Sequence, residues 1–88
     1  MSVTDKMTEK LKKNFEPSAF ELIDDSESHR GHGGWRDGGE SHFCLRMTSV
    51  LFEGQGRVQR QRSVNNVLAE ELAGPVHALE MELRAPSD

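Results

Sequence analysis

Tyrosine is absent from this 88-residue chain, and one tryptophan with four phenylalanines supplies all its aromatic rings. Aromatic side chains bury the largest areas per residue. A sequence this poor in them, with 34% apolar residues, can close one small core. A chain of this length buries only about 60 to 65% of its unfolded surface on folding, which predicts a single domain over residues 1–88 and argues against a large enclosed enzyme cleft. Cysteine is nearly absent: Cys44 stands alone, so no internal disulfide can form and a reducing compartment is expected. What remains to a lone thiol is metal binding or an intermolecular bond, and most such residues are simply small apolar side chains. No run approaches the roughly 18 apolar residues that span a bilayer, and the N-terminal segment lacks the apolar core of a secretory signal. With a mean hydropathy of -0.69, these absences predict a cytoplasmic protein without membrane association. Positive charge is also in deficit, with 11 Lys and Arg against 15 Asp and Glu and a net charge of -4. Phosphate contacts supply most non-specific nucleic-acid affinity, so any such role must rest on a local patch.

What is present is patterned. Residues 4 to 15 read as an amphipathic helix with Met7, Leu11 and Phe15 at i, i+4 and i+8, Thr4 as its cap and Pro17 as its stop. Phe20 to Ile23 is a short strand closed by Asp24, Asp25 and Ser26. His42 to Thr48 alternates, with Phe43, Leu45 and Met47 on one face and His42, Cys44, Arg46 and Thr48 on the other, as a one-sided sheet requires. After Phe52, the Glu53-Gly54-Gln55-Gly56 turn leads into a helical run with Val58, Val64, Val67, Leu68 and Leu72 as apolar positions, ended by Gly74 and Pro75. The polar interval 57–63 leaves open whether this run is one helix or two. Val76 to Leu83 alternates again and is the last strand, and residues 85–88 read as a short frayed tail.

Residues 26–41 are different. They hold five glycines, two histidines, Trp35 and no aliphatic residue, so no periodic face exists to bury, and a long exposed loop is expected. Loops of this length in compact domains are functional or disordered. The helical segment between the second and third strands permits a parallel, right-handed crossover. The whole reads as an α+β two-layer sandwich.

Several ordered motifs carry a resemblance. Phe15-Glu16-Pro17, Phe20-Glu21-Leu22-Ile23-Asp24-Asp25-Ser26 and Gly39-Glu40-Ser41-His42-Phe43 resemble the opening half of the BolA family. Phe52-Glu53-Gly54, Arg57-Val58-Gln59-Arg60-Gln61-Arg62, Leu68-Ala69-Glu70-Glu71-Leu72 and Val76-His77-Ala78-Leu79 resemble its later motifs in the same order, so that the likeness spans roughly residues 6–85. The resemblance implies a class II KH-like fold: a three-stranded mixed sheet carrying helices on one face, in the order α-β-β-α-(α)-β. It also implies pairing with a monothiol glutaredoxin around a shared [2Fe-2S] cluster, in iron-sulfur or iron homeostasis or cluster trafficking. The alternative it implies is a DNA-binding transcriptional regulator of the stress or morphology type.

The residues can be weighed against both roles. From its position alone, His77, in phase with Leu79 and Met81, reads as a core histidine satisfied by a hydrogen bond. The resemblance makes it an iron ligand instead, with a second ligand from the histidine-type loop, His32, or His29 in its place. Imidazole suits iron and makes ligation sensitive to protonation. Two such ligands are half a set, so a glutaredoxin cysteine and a bound glutathione thiol would complete it, and no cluster is expected on the isolated chain. His42 is expected to be structural or to support a ligand. Cys44 lies outside the loop where cysteine-type members place their ligand, and Trp35 either folds back on the sheet or meets a partner. Arg57, Arg60, Gln61 and Arg62, with Lys10, Lys12 and Lys13 nearby in charge, are the candidate nucleic-acid surface. The family typically reads Arg-His-Arg where this chain has Arg60-Gln61-Arg62. With the acidic total, DNA binding is expected to be weak and salt-sensitive. An enzyme is not expected: no P-loop or nucleophile-base pair is evident, and Ser41 and His42, as neighbours on a strand, point to opposite faces.

Overall fold

A computed structural model describes residues 2–24 and 42–88. Helix α1 (Val3–Phe15) buries Met7, Leu11 and Phe15, the three positions that its period places on one face. Its cap lies earlier than expected: Ser2, in extended backbone, accepts a hydrogen bond from the Asp5 amide at 3.0 Å, and Thr4 is already helical. A capping side chain must sit outside the helix to reach back to its first free amides, which Thr4 cannot do. The helix ends at Glu16, whose left-handed φ of 45° lets its amide bond Lys12 O.

Three strands follow: β1 (Ala19–Asp24), β2 (His42–Thr48) and, after the helices, β3 (Ala78–Arg84). The sheet order is β1-β2-β3, with β1 antiparallel and β3 parallel to the central strand. Phe43, Leu45 and Met47 face inward and are 2% exposed or less. They form one core with α1, Phe52, Val64, Leu68 and Val76. The other sheet face carries charge, with Arg46 between Glu21 at 3.6 Å and Glu82 at 3.8 Å.

Ser49 stitches the end of β2 to its surroundings. Its amide donates to Arg84 O, and its hydroxyl donates to Phe15 O at 2.6 Å while accepting from the Leu51 amide. That acceptance starts a 3-10 turn (Val50–Phe52), an element without periodicity to announce it. Helix α2 (Arg57–Val67) runs unbroken through the polar interval. The break comes at Leu68, before the short α3 (Ala69–Ala73). Val58, expected on the apolar face, is 59% exposed.

Residues 85–88 are fastened, which corrects the expected frayed tail. Ala85 is buried, and its amide donates to Asp88 Oδ2 at 3.0 Å. The Arg60 guanidinium donates to both Asp88 carboxylate oxygens, to Leu83 O and to Gln55 O, while Ser87 donates to Glu53 from both its amide and its hydroxyl. The Arg60 hydrogen bonds hold the Asp88 carboxyl below its ordinary value near 3.8. A depressed carboxyl stabilises the fold fully above its unfolded pKa and loses that contribution as pH falls through the folded value. Urea denaturation of wild type and Asp88→Asn should therefore separate at neutral pH and converge below about pH 4.

Candidate functional site

Because β2 and β3 run parallel, their N-termini share one end of the sheet, and antiparallel β1 brings its C-terminus to the same end. Asp24 and His42, the attachment points of segment 25–41, are therefore there together with His77. His29, His32 and Trp35 lie outside the described residues.

His77 is fixed by its neighbours. Val76 is 2% exposed, and its amide donates to Glu71 O at 2.9 Å. Gly74 passes close to α3, where an added Cβ would stand 3.3 Å from Glu70 O. Ala78 is in register with His42. β3 thus begins at Ala78, two residues later than expected, because the Val76 amide is engaged by Glu71 before the ladder starts. His77 stands just outside the strand with its side chain exposed, not in the core its phase suggested. The core position belongs to Val76.

His42 is the inverse case, 4% exposed on the nominally outer face of β2. Its ring lies 5.6 Å from that of His77, centroid to centroid, at 53°. The pair thus consists of one open imidazole backed by one buried imidazole. Cys44, half-buried, is two residues along β2 between Ile23 and Glu80. Among the described residues no group of three or more His, Cys, Asp or Glu is placed to hold a metal ion.

The basic candidates divide. Arg57 and Arg62 are exposed and Gln61 is half-buried. The Arg60 side chain is only 12% exposed and fully engaged in holding the C-terminal residues, a correction to its expected place on an open cationic surface. Lys10 is also engaged. Its ammonium donates to both oxygens of the buried Glu71 carboxylate at 2.9 and 2.8 Å, and these hydrogen bonds raise its pKa. Lys12 sits 5.3 Å over the Phe20 ring. The Lys10–Glu71 pair, 61 residues apart in the chain, has no signal in local sequence, since each residue reads as a solvated helix charge.

An α+β domain with a three-stranded mixed sheet, helices on one face and a histidine at the shared strand end defines a recognisable class. The BolA-like protein family profile matches residues 11–88, and the chain belongs to that family. A relative from Sinorhizobium, described as an uncharacterized protein in the cobS 5' region, is 42% identical over all of this chain and 96% of its own length. The DNA-binding transcriptional regulator BolA of Escherichia coli is 37% identical over 90% of this chain and 71% of its own. Among solved structures, BolA1 from Arabidopsis thaliana superposes with a TM-score of 0.88 at 35% identity, covering 100% of this chain and 96% of that one. The chain spans about half the length of the plant and mammalian BolA-like relatives it matches.

The burial contrast at the strand end predicts unequal costs. His77→Ala should change unfolding free energy by no more than about 0.5 kcal/mol, as exposed substitutions do, whereas His42→Ala should cost about 1 to 3 kcal/mol. Equilibrium urea unfolding of the two variants measures both.

Proposed function

We propose that this protein pairs with a monothiol glutaredoxin to hold a shared [2Fe-2S] cluster, in iron-sulfur or iron homeostasis or cluster trafficking, with His77 as one ligand and His32, or His29, as the other from this chain. It acts as a binding partner in the cytoplasm and not as an enzyme. The observation that carries this reading is the exposed His77 imidazole, held by a buried residue before it and a paired residue after it, at the sheet end where segment 25–41 attaches. A neutral imidazole is a borderline donor that fits iron. When bound, the cluster would supply one-electron chemistry at a potential raised by histidine ligation. The described residues offer too few donors for a site of their own, so thiolates from the glutaredoxin and a bound glutathione complete the set. His42, buried against His77, restricts the ligand ring.

Anaerobic co-purification with a monothiol glutaredoxin, scored for iron, acid-labile sulfide and visible circular dichroism, tests the proposal. The wild-type pair should be coloured, the isolated chain should carry little cluster, and His77→Ala should lose most of the signal while remaining folded. An unchanged visible spectrum on mixing the chain with cluster-loaded glutaredoxin would count decisively against it.

The description of the Escherichia coli relative favours a second reading, weak and salt-sensitive DNA binding through the start of α2. Arg57, Gln61 and Arg62 are the residues available for it, with Arg60 ordering the surface from behind. In gel shifts at low salt, Arg57→Ala with Arg62→Ala should abolish retention and His77→Ala should leave it intact. No retention of the wild type at low salt would remove this reading.

A further inference from the structure

The sheet has two edges, and the one formed by β3 has no neighbouring strand among the described residues. A groove of about 490 Å³ lies there. Its wall includes the four consecutive residues Met81, Glu82, Leu83 and Arg84. Successive strand side chains point to opposite faces, so four in a row can line one groove only if it follows the strand's edge and exposes the backbone between them. The hydrogen bonds agree. Arg84 O accepts from Ser49 on the β2 side, while Leu83 O accepts from Arg60 Nη1 at 3.1 Å on the other. Backbone groups of alternate residues share a side in a parallel strand, which places the N–H and C=O of Met81 on the open edge beside Leu83.

The opposite wall comes from the start of α2 and the turn before it, with Arg57, Gln61 and Gln55. The groove is lined by three arginines against one carboxylate, in a chain whose net charge is -4. Asp88 is paired with Arg60 and Glu82 with Arg84, which leaves Arg57 exposed with no carboxylate partner among the described residues. Gln55 Oε1 is buried without a hydrogen-bond partner there.

We propose that this groove docks an extended acidic peptide segment of a partner protein, which adds to β3 as a fourth strand. Main-chain pairing at Met81 would supply affinity, as in other strand-addition complexes. Arg57 would select a carboxylate. A polyanion satisfies the arginine but has no peptide backbone to pair with Met81. The groove's Leu83 end is roughly 20 Å along the strand from His77. Docking there is therefore independent of cluster binding, and failure of one proposal leaves the other standing.

The test titrates the isotopically labelled full chain with an end-blocked pentapeptide of alternating glutamate and valine, followed by amide NMR and hydrogen exchange. The Met81 amide should shift and gain protection, Arg57→Glu should weaken binding about tenfold, and peptides with lysine for glutamate or with alternate backbone nitrogens methylated should not bind. Arg57 is exposed at the first turn of α2, where a glutamate suits the helix dipole, so the variant should keep the wild-type spectrum elsewhere. The proposal is overturned by an unmoved Met81 amide at millimolar peptide, by an unaffected Arg57→Glu, or by equal binding of the methylated peptide. It is also overturned if a mixed-sequence single-stranded DNA shifts these resonances at lower concentration than the peptide.

Discussion

Every other element of this domain takes its place from β2, which is hydrogen-bonded along both sides and buries Phe43, Leu45 and Met47 on one face. Because side chains on a strand have a period of two, a slip of one residue would turn Phe43, Leu45 and Met47 to the charged face and Arg46 into the core. Burying three such side chains is worth several kcal/mol, and leaving a guanidinium unpaired in the core costs as much again. The register is therefore held from both faces. The Glu21–Arg46–Glu82 row is exposed and adds little on its own, but it favours the same alignment.

From that register the strand-end geometry follows. A central strand antiparallel to one neighbour and parallel to the other collects two strand starts and one strand finish at the same end. His77 owes its position to this arrangement and to Val76, whose burial and amide bond stop the backbone from drifting. The opposite end of the sheet is closed by Ser49 and by the Arg60–Asp88 pair. One end of the molecule is thus tied by side-chain hydrogen bonds, and the other presents an open imidazole over a buried one.

Much of this was legible in the sequence where the physics is local. The alternation of 42–48 yielded β2 to the residue, and the i, i+4, i+8 spacing of Met7, Leu11 and Phe15 yielded the buried face of α1. The motifs pointed to the fold family and to His77. What escaped depended on partners far along the chain. Arg60 reads as one of three similar arginines, and only the folded chain brings Leu83 O and Asp88 to it. Glu71 reads as an exposed helix charge until α1 lays Lys10 against it. Ser2 and Thr4 are both good caps, and composition alone does not choose between them. His77 illustrates the limit in the other direction: its phase with Leu79 suggested a core residue, but phase has meaning only inside a strand, and the strand starts one residue later.

The mixed sheet also bears on how the protein is made. The central strand is flanked on one side by the last strand of the fold, more than thirty positions downstream, and non-local pairing of this kind closes late because the intervening chain must first be ordered. During synthesis, a chain lacking residues 78–84 has β2 present with one of its two hydrogen-bonding edges unpaired. Until residues 78–84 are available, that edge is free to pair with another strand.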